Sequence, residues 1–341
     1  PSTLQHLGTA PAMNKAEVDA LCAKAAKAQK SWSKTTYTQR RMVLRTIQKY
    51  ILDHQEDICR VCARDSGKPK VDALLGEVMT TCEKIRCINM NGEEWLQKSY
   101  RPVGPMMIHK TAYVEYVPFG VLGVIAPWNY PFQLALNTII GAVAAGNTVI
   151  LKPSEYAPFT ANVVEDVINE TFAPEHVSVA KGDVSVASEL LKLRWDYVFF
   201  TGSTNVGKIV AKAAAEHLTP YTLELGGKNP CIVDQTAPIG LTAKRIVWGK
   251  YVNCGQTCIA PDYLLVHKSK VAALTEAMAK EIKNAFGDDP QKSHSYGGII
   301  NQRHLMHLKR MLEGVTLAHG GTVNEEDLYI EPTIIDQPDL G

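Results

Sequence analysis

The stretch VLGVIAPWNYPFQLALNTIIGAVAAGNTVILKP, residues 121–153, decides how the chain folds. Residues 116–151 contain no charged side chain, yet the segment does not read as a membrane span. A spanning helix needs about 20 unbroken apolar residues. Here Pro127 and Pro131 interrupt the run around Trp128, Asn129 and Tyr130, and Asn137 and Asn147 punctuate the rest. It resolves into a strand at 121–126, a loop, a helix at 132–146 and a strand at 147–153. Wholly apolar strands are those covered on both faces, and strand–helix–strand is the unit from which parallel sheets are built.

The alternation continues downstream. A helix is expected after Pro158, a strand at HVSVA (176–180), a helix around Ala187–Leu193, a strand at YVFF (197–200) and a helix at Val206–Ala215. This order predicts an α/β fold with a Rossmann-type, doubly wound parallel sheet. Upstream, the first hundred residues read as helices. Asn14, with Glu17 three residues on, caps one. A second is expected from Thr38 to Ser66-Gly67, with Leu44, Ile47 and Ile51 on one face, and a third from Pro69 to Asn91-Gly92. After LELGGK (223–228) come expected helices at 239–252, 269–285 and 302–313, and strands at DYLLVH (262–267) and YIEPTII (329–335). The expected division is residues 1–225 for the helices and the dinucleotide-type domain, and 226–341 for a second α/β domain.

Composition narrows the function. The 341 residues carry 36 Lys+Arg against 35 Asp+Glu, a formal charge of +1, and no repeat or low-complexity tract. A protein held to polyanions by counterion release needs clustered basic residues, so no nucleic-acid partner is expected. Eight cysteines (Cys22, Cys59, Cys62, Cys82, Cys87, Cys231, Cys254, Cys258) are too sparse for a disulfide scaffold in a chain of this length. The single C-x-x-C, Cys59 to Cys62, falls in mid-helix rather than at a helix start, against a redox motif. His304 and His307 lie three apart without an H-E-x-x-H, and no metal is expected. There is no G-x-G-x-x-G. GSTNVGK (202–208) approaches a P-loop, but Ile209 stands where a Mg²⁺-binding hydroxyl belongs. What survives is a strand, a Gly-Ser turn and a helix start, which presents backbone N–H groups to a phosphate but would equally serve as an ordinary β–α turn.

The chemistry lies in five separated motifs, in chain order PWNYP (127–131), KPSE (152–155), FTGSTNVG (200–207), LELGGK (223–228) and YVNCGQTCIAP (251–261). Together they resemble the aldehyde dehydrogenase superfamily over nearly the whole chain. APDY after the cysteine is closest to the eukaryotic membrane-anchored branch. The resemblance implies NAD-dependent oxidation of an aldehyde to a carboxylic acid through a cysteine thiohemiacetal and thioester. Cys258 matches the nucleophile, while Cys254 occupies the variable slot before Gly255. Asn129 would supply its amide, with the Cys258 N–H, to the oxyanion. Glu224 matches the general base that activates the hydrolytic water. At the end of an apolar strand it is expected to be partly buried, with a raised pKa, an ion pair with Lys228 being its alternative role. The coenzyme-A-acylating relatives lack that base, so hydrolysis is favoured.

The resemblance also places Lys152 and Glu155 at the adenine ribose, where a carboxylate would repel a 2′-phosphate and favour NAD over NADP. Gly202 and Ser203 would hold the pyrophosphate and Gly207 would permit close helix approach, with Ile125, Pro127, Trp128 and Leu225 along the cofactor cleft. The family pattern continues beyond EPTI to an E-x-F-G-P segment and tail strands, so the 341 residues are expected to be a portion of a longer protein. Tyr100–Val117 matches the hairpin through which members assemble, implying a homodimer or homotetramer. The expected location is the cytoplasm, or alternatively the endoplasmic reticulum membrane, facing the cytoplasm, through a segment not in this chain. Competing readings are a semialdehyde or betaine specialist and a catalytically idle NAD-binding scaffold. The joint presence of Cys258, Glu224 and Asn129 argues against the scaffold. No Arg cluster marks an anionic substrate, which leaves medium- or long-chain aliphatic or aromatic aldehydes.

Overall fold

The computed structural model describes residues 12–337. They form two compact units, one of residues 12–58 and 76–224, the other of 59–75 and 225–337. The second unit therefore takes in a segment that the sequence reading assigned to the N-terminal helices.

In chain order, α1 (Lys15–Trp32) opens on a capping box: Glu17 N–H donates to Asn14 Oδ1 at 3.1 Å, and Asn14 N–H donates to Glu17 Oε2 at 2.8 Å. The long helix expected from Thr38 to Gly67 is two, α2 (Tyr37–Asp53) and α3 (Gln55–Ser66). The break is at His54, whose backbone leaves helical geometry while its ring stacks 4.1 Å from that of Tyr50. Next, α4 (Lys70–Ala73) passes through a π-helical turn (Leu74–Met79) into α5 (Thr80–Trp95). That helix runs through Asn91 and Gly92 instead of stopping there; an isolated glycine is tolerated inside a helix. An antiparallel hairpin follows, β1 (Ser99–Arg101) on β2 (Ala112–Val114).

The alternating region then builds β3 (Val121–Ile125), α6 (Pro131–Ala144), β4 (Thr148–Lys152), α7 (Pro158–Thr171), β5 (Val177–Val179), α8 (Val184–Leu191), β6 (Tyr197–Gly202), α9 (Thr204–Glu216) and β7 (Tyr221–Leu225). Strand order is β5-β4-β3-β6-β7, and β3 pairs in parallel with both β4 and β6. Helices α1, α8 and α9 form one layer, and α2, α5, α6 and α7 another, as the doubly wound reading requires. Every residue of β4 is buried, and Phe132, Leu136, Ile139 and Ile140 of α6 are inaccessible to solvent. Burying each such side chain stabilises the fold by about 1.5–3 kcal/mol. The chain winds outward through β4 and β5, then returns to the other side of β3. That reversal puts a topological switch point at the carboxyl ends of β3 and β6, the place where open α/β sheets bind ligands.

The other unit contains a parallel pair, β8 (Asn229–Val233) and β9 (Pro261–Val266), with α10 (Ile239–Tyr251) packed on α11 (Val271–Phe286), and α12 (Gln302–Met311). Its core joins Val233, Ile246, Val247, Leu274 and Ile282 to the rings of Tyr251, Tyr296 and Tyr329. The expected strand at 329–335 is two short pieces with different partners. The antiparallel pairs are β10 (Leu317–His319) with β13 (Ile334–Ile335), and β11 (Val323–Asn324) with β12 (Tyr329–Ile330). Two buried tyrosines hold the bend from one piece to the next: Tyr296 Oη donates to Ile330 O at 3.0 Å and Tyr251 Oη to Thr333 O at 2.9 Å. Among the described residues, no helix is long and apolar enough to cross a membrane.

Candidate active site

Parallel register aligns Ile125 with Lys152 on one side and with Phe200 on the other. The loop after β3 (Ala126–Tyr130), Lys152 and the Gly202-Ser203 turn therefore sit side by side at the switch point. Ser203 caps α9, its hydroxyl accepting from Val206 N–H at 3.4 Å, and residues 203–206 are exposed, with Gly207 buried beneath them. The first-turn N–H groups of a helix have no partner within the helix, and the helix dipole is positive there. An exposed turn of this kind suits a phosphate.

Lys152 is nearly inaccessible, and its Nζ lies 2.6 Å from Glu155 Oε2. Glu155 keeps 30% of its side-chain surface. The two residues placed at the ribose by resemblance thus form an ion pair whose carboxylate edge faces solvent. Ile125, Pro127, Trp128, Gly202 and Leu225 are all half-buried.

Asn129 follows two residues after Pro127 and is also half-buried, its Oδ1 accepting from Tyr130 N–H at 3.1 Å. The turn is anchored by a residue the sequence reading missed. Helix α6 has no capping side chain of its own; instead Glu77, fully buried in the π-helical turn, accepts from Phe132 N–H at 3.2 Å and Gln133 N–H at 2.9 Å. Alongside it, Gly76 leaves room for the Tyr130 ring, since a Cβ there would lie 2.6 Å from Tyr130 Cε1. A carboxylate at an apolar helical position was the available signal. Hydrogen bonds to charged groups contribute about 1.5–3 kcal/mol, so Glu77→Ala is expected to destabilise the protein by about 2 kcal/mol in urea titration. Glu77→Gln, which retains one accepting oxygen, should cost less, and equal losses would show that the capping account is wrong.

Glu224 lies near the end of β7, the edge strand of the sheet, and is exposed rather than partly buried. The alternative pairing with Lys228 is not made. Lys228 Nζ lies 3.2 Å from Asp262 Oδ1, which also has Lys250 Nζ at 3.7 Å.

Cys258 belongs to the other unit. It sits in a tight turn closed by Ala260 N–H donating to Thr257 O at 3.0 Å, just before β9. Asn229 Nδ2 donates to Cys258 O at 2.8 Å and to Ala260 O at 3.0 Å, pinning the turn from β8. The thiol-bearing residue is exposed, whereas the other seven cysteines are buried or half-buried. Burial pushes the competing Cys254 thiol up to about 12, so almost none of it is thiolate near neutral pH. Before Cys258 the backbone is left-handed at Asn253 (φ 53°), Cys254 (φ 54°) and Gly255 (φ 75°). For a residue with a Cβ that conformation costs roughly 1–2 kcal/mol, and it persists only where surrounding structure holds it.

The aldehyde dehydrogenase family model matches residues 1–340, and the chain belongs to that family. It is 42% identical over 300 residues to 4,4'-diaponeurosporen-aldehyde dehydrogenase of Staphylococcus aureus, the alignment covering 87% of this chain and 65% of that protein. It is 40% identical to aldehyde dehydrogenase family 3 member A2 of Macaca fascicularis (87% and 61% covered). Identity is 38% to the dimeric, NADP-preferring aldehyde dehydrogenase of Canis lupus familiaris (86% and 64%). The chain thus spans between 61% and 65% of the length of these relatives. Among solved structures, a Mycobacterium tuberculosis aldehyde dehydrogenase complexed with NAD+ superposes with a TM-score of 0.90 at 26% identity, covering 99% of this chain and 72% of that one. These relatives place the chain near the family 3 aldehyde dehydrogenases.

Proposed function

We propose that the protein oxidises an aldehyde to a carboxylic acid with a nicotinamide cofactor, through a covalent intermediate on Cys258. The observation that carries this reading is that Cys258, in the G-Q-x-C setting, is the exposed one of eight cysteines. A thiolate attacks a carbonyl readily, and the thioester it later carries is open to hydrolysis. The Asn129 amide and the Cys258 N–H donate to the oxygen that becomes negative. Glu224 takes a proton from the water that attacks the thioester, which releases the acid and restores the thiolate.

The residues at the switch point fit a dinucleotide. The exposed first turn of α9 offers N–H groups to a pyrophosphate, and the Lys152–Glu155 pair offers a donor and an acceptor to ribose hydroxyls. When bound, the cofactor supplies the hydride acceptor. A carboxylate at the ribose disfavours an added 2′-phosphate and points to NAD, although the relatives from Canis lupus familiaris, Rattus norvegicus and Mus musculus are named NADP-preferring. Ile125, Pro127, Trp128, Gly202, Ser203, Gly207 and Leu225 complete this cofactor set. Assembly as a homodimer or homotetramer is supported by the hairpin segment 100–117, where Tyr100, Met106, Ile108 and Val117 are large apolar residues left exposed, since apolar surface gathered in one segment marks an interaction surface.

The test is reduction of NAD and of NADP by the full-length protein with a chain-length series of aliphatic and aromatic aldehydes. Turnover that prefers NAD and longer chains is expected. Cofactor binding without turnover of any aldehyde would instead favour the scaffold reading. Asn129→Ala is expected to lower kcat by about 10²–10³-fold, the usual loss for one oxyanion donor, with cofactor affinity retained. An unchanged kcat would remove Asn129 from the reaction.

A further inference from the structure

Residues 65–72, 253–258 and 296–300 are distant in sequence and joined in space within the unit that carries Cys258. Asn253, itself buried, donates its N–H to Asp72 Oδ2 at 2.9 Å. The Gln256 side chain bridges to the third segment in both directions. Its Nε2 lies 3.1 Å from Asn253 O and 3.1 Å from Gly298 O, while its Oε1 accepts from Ile300 N–H at 3.0 Å. The third segment is closed onto the first: Gly298 N–H donates to Gly67 O at 3.2 Å, and a Cβ on Gly297 would lie 2.3 Å from that same oxygen. Burial raises the Asp72 carboxyl above its ordinary value, opposed in part by the Asn253 N–H and then by the charge of Lys68, which is itself buried in this junction. The left-handed run at 253–255 is thus gripped at its first residue by two side chains, and the chain reaches Cys258 three residues after it ends.

We propose that Asp72 and Gln256 are positioning residues for Cys258, the Asp72 carboxylate and the Gln256 amide together holding the strained turn that sets where the thiol is presented. This rests on Cys258 being the nucleophile. Neither side chain needs to touch the substrate. A displacement of the order of an ångström at a reacting atom is enough to lose about 10²-fold in rate, and an unclamped turn at 253–255 has no reason to keep its left-handed geometry.

The experiment compares Asp72→Ala, Asp72→Asn, Gln256→Ala and Gln256→Glu with wild type and Cys258→Ala in the full-length protein. It measures kcat and KM for aldehyde, cofactor affinity, and iodoacetamide labelling of Cys254 and Cys258 resolved by peptide mass spectrometry. Expected for Asp72→Ala and Gln256→Ala is a kcat lower by about 30–100-fold, with KM and cofactor affinity within about twofold. Cys254, protected in wild type, becomes labelled as the turn opens. Asp72→Asn keeps an oxygen for the Asn253 N–H and should recover kcat to within about fivefold of wild type. Wild-type kcat in both alanine variants, or losses as deep in Asp72→Asn as in Asp72→Ala, would overturn the proposal. If the alanine variants do not fold, Gln256→Glu decides: it keeps the acceptor for Ile300 but turns a carboxylate toward two carbonyls, and a wild-type kcat there is equally fatal. Turnover surviving in Cys258→Ala would refute the nucleophile reading instead, while Cys254 labelling in Asp72→Ala would still report on the clamp.

Discussion

Cys258→Ala is expected to abolish aldehyde-dependent reduction of the nicotinamide cofactor, with kcat falling by at least about 10⁴-fold, the scale seen when a covalent nucleophile is removed. Cofactor affinity should be unchanged, because the residues assigned to the pyrophosphate and ribose lie at the carboxyl ends of β4 and β6 and in the first turn of α9. Stability should also hold. Cys258 is exposed, and exposed substitutions away from caps and networks usually stay within about 0.5 kcal/mol. Stopped-flow absorbance with saturating aldehyde reads the effect directly. Residual turnover within tenfold of wild type would require another thiol, yet Cys254 is held almost wholly protonated by its burial.

Glu224→Gln separates the two halves of the reaction. Glutamine has nearly the same shape but cannot take a proton from water, so acylation should proceed and hydrolysis should not. A rapid burst of about one equivalent of reduced cofactor per site is expected, followed by a steady state slower by about 10²–10⁴-fold, the range for loss of a general base. Since the side chain is exposed at the edge of the sheet, folding should be indifferent to the change and the loss would be chemical. An unaltered steady-state rate would assign water activation to another group, and loss of the burst as well would place Glu224 before acylation.

The sheet was legible because its physics is local. Strands such as Thr148–Lys152, buried on both faces, must be written in apolar residues, and the prolines around Trp128, Asn129 and Tyr130 mark where strand gives way to helix. The Asn14–Glu17 cap was legible for the same reason. Less could be read where structure depends on partners remote in sequence or on ring contacts. Periodicity carries straight through His54, where α2 ends and the His54 ring stacks on that of Tyr50. YIEPTII, apolar at both ends, reads as one strand, but its halves pair with different neighbours. The burial expected for Glu224 failed because apolar neighbours in sequence do not reveal what covers each face of β7. Within YVNCGQTC the cysteine stood out as chemistry, whereas Gln256 and its hydrogen bonds to Gly298 and Ile300 had no sequence signature beyond the motif itself. Asp72 had none, since 181 residues separate it from Asn253.

The unit bearing Cys258 is discontinuous in the chain, residues 59–75 being separated from 225–337 by a whole sheet and its helices. Contacts of such sequence separation form late, because loop closure must precede them. During synthesis Asp72 emerges long before Asn253, and α3 and α4 must wait through some 150 residues of translation before their lasting partners exist. The Rossmann-type sheet can by then be complete, as domains generally fold as units in order of emergence. The turn that leads to Cys258 is thereby kept out of its final setting until the sheet has formed. A gene fragment beginning at residue 225 would make the cysteine loop without the carboxylate that grips it.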